Sequence, residues 1–122
     1  MAKSDFIEQI TALGFLVQEL PQEFIKFEYT IPVGRFSGQT VEIAFQCDNN
    51  FPMNPPAGGP HFTPLLLPKT GGVGIHPYGA IHDSPMGVDW EYWSRPFKEW
   101  NRTEKTAKVF MAHIRNLLAT IP

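Results

Sequence analysis

The fold is decided by the stretch FIKFEYTI at residues 24–31, in which apolar and polar side chains alternate. A second stretch, VEIAFQC at residues 41–47, has the same alternation, and Ser37-Gly38 between the two is a turn signal. Successive side chains of a strand point to opposite faces, so each stretch predicts a strand with one buried face. We therefore predict antiparallel strands here. Their buried side chains should be Ile25, Phe27, Tyr29, Ile31, Val41, Ile43, Phe45 and Cys47.

Helical patterns flank these strands. Asp5–Glu8 and Asn101–Glu104 have the spacing of capping boxes, and Gly14 is placed to end the first helix. Residues 15–19 are consistent with a short first strand. The C-terminal pattern is amphipathic over about four turns. Its apolar face comprises Ala107, Phe110, Met111, Ile114, Leu117, Leu118 and Ile121. Helices that cover one face of a sheet predict an α+β fold.

Composition limits the class of protein. The chain has 122 residues and a formal net charge of −2, which fits one domain, residues 1–122, and gives no reason to expect nucleic acid or an anionic membrane as a partner. No apolar run approaches the roughly 18 residues of a spanning helix. The lone cysteine, Cys47, excludes an internal disulfide and fits a reducing compartment. We expect a cytoplasmic protein with no cofactor and no metal.

The segment from Phe51 to Pro96 differs from the rest of the chain, since it holds nine of the twelve prolines and seven of the ten glycines. Proline removes backbone donors and clashes with the preceding helical turn, so this segment cannot be regular helix. Its many apolar residues argue against disorder. Long structured loops in small domains are often functional. We expect a structured Pro/Gly-rich loop that carries the functional site.

Four short motifs follow one another along this segment. They are FPMNPP at residues 51–56, HFT at 61–63, HPY at 76–78 and GAIHD at 79–83. This order resembles the ubiquitin-conjugating enzyme superfamily, whose signatures are Tyr-Pro-x-x-Pro-Pro, His-Pro-Asn and Gly-x-Ile-Cys-Leu. The run DWEYWSR at residues 89–95 is similar to a bacterial branch of that superfamily. Members of that branch are linked to operons that also encode a ubiquitin-like protein, an activating enzyme and a metallopeptidase.

The resemblance implies an N-terminal helix, an antiparallel meander of about four strands, the long Pro/Gly-rich loop and a C-terminal helix. The same resemblance implies that residues 61–63 are the next strand of the family. It also implies that a set of signature residues braces the loop. These are Phe51, Pro52, Pro55, Pro56 and Pro77.

Two positions depart from the family pattern. Tyr78 stands where the family has the asparagine of His-Pro-Asn, and His82 stands where it has the nucleophilic cysteine. An acyl-imidazole hydrolyses readily, so His82 cannot hold a ubiquitin-like protein as a long-lived intermediate. The chain thus resembles the cysteine-less variants of the family. The resemblance implies a catalytically inactive protein that binds a ubiquitin-like protein, its activating enzyme or both, with the metallopeptidase as a further candidate partner.

The sequence leaves alternatives open. Cys47 is a weak candidate nucleophile, because alternation places it on the buried face. His82 and Asp83 could assist transfer from a partner's cysteine, with His76 organising the loop. A metal site is disfavoured, because histidines six residues apart in a loop have no fixed geometry. A stand-alone peptide-binding module is the remaining alternative.

An aromatic cluster precedes the C-terminal helix. It has five rings within eleven residues, namely Trp90, Tyr92, Trp93, Phe97 and Trp100. We expect most of them to pack into the core, but in so small a domain one or two should reach a recognition surface. Arg95 lies among them and could clamp a carboxylate or contact a ring. The expected binding residues are His76, Tyr78, His82, Asp83, Trp90, Tyr92, Trp93 and Arg95.

Overall fold

The computed structural model describes residues 2–70 and 79–122. Within these ranges the elements are α1 (Lys3–Ala12), β1 (Gln18–Glu19), β2 (Phe24–Thr30), β3 (Thr40–Gln46), β4 (Ala57–Thr63), β5 (Ile81–Ser84), β6 (Gly87–Trp93) and α2 (Ala107–Ala119), with a 3-10 turn at Trp100–Arg102. The protein is therefore α+β, as predicted. No helix in the described ranges is both long enough and apolar enough to cross a bilayer.

The six strands form one open antiparallel sheet in the order β1-β2-β3-β4-β6-β5. Strands β2 and β3 pair along their whole length, with Phe27 opposite Ile43. Strand β6 lies beside β4, so the short strand β5 forms an edge of the sheet. The sheet therefore has six strands where a meander of about four was expected. Strands β1 to β4 follow one another in the sheet, and the hairpin β5–β6 extends it.

Both helices lie on one face of the sheet, which we call the inner face. The alternating apolar side chains of residues 25–31 and 41–47 are buried there, as predicted. Phe6 of α1 and Phe110 of α2 contact the same ring of β3, Phe45, with centroid distances of 6.3 and 4.9 Å. Burial of this apolar surface is the main driving force that holds the helices on the sheet. The opposite face, the outer face, carries no helix of the described ranges.

The first helix begins earlier than the capping-box pattern predicted. Its first residue is Lys3 and its N-cap is Ala2, so Asp5 lies in the first turn instead of at the cap. A carboxylate in the first turn still interacts favourably with the helix dipole, which explains why the pattern was misleading. Gly14, with φ of 101°, follows the end of the helix as expected. The predicted strand at residues 15–19 is confined to β1.

The second helix begins later than predicted. Its N-cap is Thr106, whose hydroxyl accepts a hydrogen bond from the Val109 N–H at 3.2 Å. Asn101 lies instead in the 3-10 turn, and Glu104 precedes the helix. A threonine in extended conformation is a good cap, and a capping-box spacing alone does not decide between two neighbouring start positions.

The expectation of one long loop between Phe51 and Pro96 is wrong for much of that segment, because β4, β5 and β6 lie within it. Strand β4 contains Gly58, Gly59 and Pro60, where its pairing with β3 shifts register. Gly58 has φ of 63°, and a Cβ at Gly59 would overlap the Trp93 carbonyl oxygen. Here glycine and proline mark an irregularity within a strand, where close backbone approach and a missing donor are tolerated.

Candidate functional site

The only cysteine of the chain, Cys47, follows β3 and is 1% exposed. Burial, reinforced by the nearby Asp48 carboxylate, raises the pKa of its thiol to about 12. The Sγ–H donates a hydrogen bond to the Asp48 carbonyl oxygen at 3.7 Å. Nucleophilic cysteines are accessible and have lowered pKa values. The structure thus places Cys47 in the core, as the alternation predicted, and away from any reacting partner.

We expect the Cys47 thiol to be unreactive in the folded protein. The raised pKa lowers the thiolate fraction at neutral pH by about 1,000-fold, and burial blocks access to what remains. Titration with an aromatic disulfide reagent should give almost no signal in buffer and one thiol per chain in denaturant. A stoichiometric reaction of the native protein within seconds would contradict this placement.

His82 and Asp83 are consecutive residues of the edge strand β5. The His82 ring lies on the outer face, half-buried, opposite Tyr92 of β6. The Asp83 side chain is 92% exposed and forms an ion pair with Lys69 at 3.1 Å. Neighbouring residues of a strand point in opposite directions, and no hydrogen bond within the described ranges joins the two side chains. They do not form a paired acid and base.

Three rings form a row across the outer face, from β4 through β6 to β5. Strand register places His61 opposite Tyr92 and Tyr92 opposite His82. The His61 and Tyr92 rings stack at 4.6 Å with an interplanar angle of 27°, and the Tyr92 and His82 rings are 6.3 Å apart at 30°. This ring row runs from a buried histidine to a half-buried histidine at the sheet edge, with a tyrosine between them.

His61 is the buried end of the ring row, at 5% exposed. Its Nδ1 lies 2.8 Å from the Ser84 Oγ, and Ser84 also accepts a hydrogen bond from the Met86 N–H at 3.1 Å. The Phe24 ring meets His61 edge-on at 5.1 Å. Burial lowers the pKa of His61 to about 4, because a charged imidazolium here would lose its hydration. The ring is therefore neutral at pH 7.

A pocket of about 310 Å³ opens beside the ring row; we call it the outer-face pocket. It is lined by the ring-bearing residues Phe24, His61 and Tyr92, together with Gln22, Gln46, Ala57, Gly58 and Pro85. The Gln46 Nε2 donates a hydrogen bond to the Gln22 carbonyl at 3.1 Å, which holds the β1–β2 turn against β3.

A groove of about 480 Å³ shares Gln46, Ala57 and Gly58 with the outer-face pocket. Its other lining residues are Glu23, Asp48, Asn54, Pro55, Pro56, Pro96 and Phe97. We call the pocket and the groove together the cleft. Each of the two volumes is within the range typical of ligand sites.

The predicted aromatic residues differ in accessibility. Trp93, Trp100 and Trp90 are 0%, 3% and 8% exposed, whereas Tyr92 and Phe97 are half-buried. Core packing therefore accounts for Trp93 and Trp100, whereas Trp90 is buried outside the core cluster, on the same face of β6 as Tyr92. Of the cluster, Tyr92 and Phe97 reach the surface, and both line the cleft.

Arg95 follows β6 and ties two parts of the chain together. Its Nη2 donates to the Gly79 carbonyl at 2.7 Å, and its Nη1 donates to the Ser94 carbonyl at 3.0 Å. Partial burial lowers the pKa of its guanidinium group. Two of the five N–H donors of the guanidinium group thus join Arg95 to the residue before it and to Gly79. The carboxylate clamp stays a prediction.

The signature residues pack beneath the cleft. Phe51 is 1% exposed and contacts Phe6 and Trp100 with centroid distances of 5.1 and 6.0 Å. The Trp100 Nε1 donates a hydrogen bond to the Pro52 carbonyl at 2.9 Å. Pro56 is buried, and Pro55 lines the groove. The segment 51–56 therefore packs against α1 and the 3-10 turn, and its role in bracing the loop stays a prediction. His76, Pro77 and Tyr78 lie outside the described residues.

Sequence reasoning missed Glu91, which is 0% exposed on β6. Its Oε1 accepts hydrogen bonds from the Leu66 and Leu67 N–H groups at 2.8 and 3.1 Å and from the Trp93 Nε1 at 3.0 Å. Its Oε2 has no hydrogen-bond partner within the described ranges. Glu91 thus attaches the chain after β4 to β6. The alternation in DWEYW, which puts Glu91 on the face of Trp93, is the signal that could have revealed it.

Comparison with known proteins identifies no relative: no protein-family model, no curated protein and no solved structure matches the chain. Across residues 2–70 and 79–122, no three His, Cys, Asp or Glu side chains are grouped so that they could hold a metal ion.

Proposed function

We propose that this chain is a non-catalytic binding protein of a bacterial ubiquitin-like modification pathway, similar to the cysteine-less variants of ubiquitin-conjugating enzymes. Its proposed partners are a ubiquitin-like protein and the activating enzyme, with the metallopeptidase as a third candidate. The observation that carries the proposal is the state of Cys47, the only thiol, which is 1% exposed with a pKa of about 12. Thioester transfer requires an accessible thiolate, and this chain offers none.

The proposed contact surface is the edge of the sheet formed by β5 and β6. Asp83 is exposed there, and His82 and Tyr92 are half-buried, so all three can touch a partner. Trp90 and Trp93 are buried, and their contribution is to hold β6 in place. Small numbers of accessible aromatic and charged groups carry much of the binding energy of protein interfaces.

The inactive assignment is tested by reconstitution. The protein is incubated with the ubiquitin-like protein, the activating enzyme and ATP, and is then analysed on a non-reducing gel. We expect no adduct that a reducing agent removes. A reductant-sensitive adduct that Cys47→Ser abolishes would overturn the proposal and establish a transferase.

The binding assignment is tested with the same two partners by calorimetry. We expect the double variant His82→Ala with Asp83→Ala to weaken binding by about tenfold or more, since these residues are central to the proposed surface. Glu28→Ala, an exposed change on the distant strand β2, is the matched control and should bind as the unmodified protein does. Absence of binding to both partners, or equal loss in the control, would contradict the proposal.

A further inference from the structure

The turn of the hairpin β5–β6 folds over the outer face and is fastened to His61. We propose that this turn, residues 84–87, is an acid-released strap: it stays closed over a neutral His61 and opens when that ring takes up a proton. We call these four residues the strap. The inference goes beyond the proposed function, because it concerns this chain alone and requires no partner.

The strap leaves the plane of the sheet. Strand β5 lies two strands from β4, with β6 between them, which is about 10 Å in a flat sheet. The Oγ of Ser84, the last residue of β5, nevertheless lies 2.8 Å from the His61 Nδ1. The pairing of β5 with β6 shifts register between Asp83 and Ser84, and Pro85 lines the outer-face pocket together with Phe24 of β2. The strap therefore crosses β6 on the outer face.

One side chain fastens the strap. The Ser84 Oγ lies within hydrogen-bond distance of His61 and also accepts a hydrogen bond from the Met86 N–H at 3.1 Å. Ser84 thus joins the backbone of the strap to the His61 ring. Within the described ranges, no other hydrogen bond joins the strap to β2, β3 or β4. The state of the His61 ring therefore decides how firmly the strap is held.

No negative charge faces the His61 ring. The residues that face it from the neighbouring strands are Phe24, Ala44, Ser84 and Tyr92. Tyr92 is the titratable group among them, and His82 lies beyond it on β5. One register position further, Lys26 lies opposite Ala44 and forms an ion pair with Glu42. A protonated His61 is thus buried without a countercharge, which is costly.

Opening of the strap relieves this cost, because water then reaches the edge of the His61 ring that Ser84 covers. Burial holds the pKa of His61 at about 4, against 6.5 for a hydrated ring. The open strap therefore binds more protons between these two values. When the ring of the open state is fully hydrated, lowering the pH from 7 to 5 raises the ratio of open to closed strap by about 20-fold, which is the upper limit.

Trp90 reports on the strap. It lies on the outer face of β6 and outside the core cluster, yet it is 8% exposed. A Cβ at Gly87 would lie 3.6 Å from the Trp90 Cδ1, so the strap packs against this ring. The other two tryptophans, Trp93 and Trp100, belong to the core cluster. Opening of the strap thus exposes Trp90 while the other two stay buried.

The first test is amide hydrogen exchange of the full chain at pH 7 and pH 5, in several low concentrations of urea. After correction for the intrinsic rate, protection of the Met86 N–H should fall between about fivefold and 20-fold, with little dependence on urea. The amides of β2 and β3 should be better protected and should depend strongly on urea, since they exchange by global unfolding. A Met86 amide with the same protection and urea dependence as β2 and β3 would overturn the proposal.

His61→Phe removes the titrating group and should abolish the acid response of the Met86 amide. His113→Phe is the matched control, because His113 is also a partly buried histidine that stacks on a ring, but it lies on α2 and away from the strap. The control should keep the response. A response that persists in His61→Phe, or that is lost in the control, would overturn the proposal.

Should His61→Phe fail to fold, the fluorescence of Trp90 provides the second measurement. Quenching of the unmodified protein by acrylamide should increase from pH 7 to pH 5 while circular dichroism shows that the chain remains folded. Trp90→Phe should lack this increase, because the remaining tryptophans are in the core. An equal increase in Trp90→Phe, or no increase in the unmodified protein, would overturn the proposal.

Discussion

Replacing Glu91 with alanine is expected to lower the free energy of unfolding by about 3 kcal/mol, because it leaves buried donors without an acceptor. One carboxyl oxygen accepts from the N–H groups of Leu66, Leu67 and Trp93 in a region closed to water. Urea denaturation of the two proteins measures the difference. Amide hydrogen exchange at Leu66 and Leu67 should also become faster in the variant, since these groups lose their partner.

Two further variants separate the loss of the Glu91 hydrogen bonds from the effect of changing a nearby charge. Glu91→Gln keeps an acceptor oxygen and should cost clearly less than alanine, about 1 kcal/mol. Asp83 is the cross-strand neighbour of Glu91, and its side chain is exposed. Asp83→Ala should therefore change the free energy of unfolding by no more than about 0.5 kcal/mol. Equal and small losses for alanine and glutamine at position 91 would contradict the role assigned to Glu91.

Acidification from pH 7 to pH 4 is expected to remove about 3 kcal/mol of stability through His61 alone. The pKa of this histidine is about 4 in the folded protein and near 6.5 when it is exposed, so the unfolded chain binds more protons between these values. Its contribution is thus fully present above pH 6.5 and is lost as the pH falls toward 4. Unfolding free energies measured in urea at a series of pH values give the slope.

The His61 contribution is isolated by comparison with His61→Phe, which removes the titrating group while it keeps a ring between Phe24 and Tyr92. The variant should be less stable at pH 7, since Ser84 loses its partner, but its stability should fall less steeply on acidification. Burial also lowers the pKa of His113, which stacks on Phe97 away from the ring row. His113 is present in both proteins, so its effect on the pH dependence is the same in each and the difference reports on His61. Parallel pH profiles for the two proteins would contradict the assignment.

Local patterns predicted the elements that depend on one periodicity. Strands β2 and β3, the apolar face of α2 and the burial of Cys47 follow from alternation or from helical spacing, which are visible within a few residues. The start of α2 was misplaced because Asn101–Glu104 and Thr106–Val109 offer neighbouring caps. In the structure the helix begins after the second of them.

The hairpin β5–β6 and the first part of strand β4 were hidden by composition, whereas residues 61–63 of β4 were expected as a strand from the resemblance. Glycine and proline lower local strand propensity, and the segment from Phe51 to Pro96 is rich in both. Its strands form because Phe62 and Trp93 bury against each other, with ring centroids 4.9 Å apart. Because Phe62 and Trp93 are distant in sequence, a local sequence pattern cannot predict that contact.

The sequence by itself determined the α+β class, the buried face of the central strands and the absence of any thiol other than Cys47. Only the tertiary structure brought His61 to Ser84 and Tyr92, buried Glu91 against Leu67, and opened the cleft beside the ring row. The physical reason is the range of the interactions. Periodicity is a property of one segment, whereas a buried hydrogen bond or a pocket requires surfaces from several strands, and their register is set by the packing of the whole sheet.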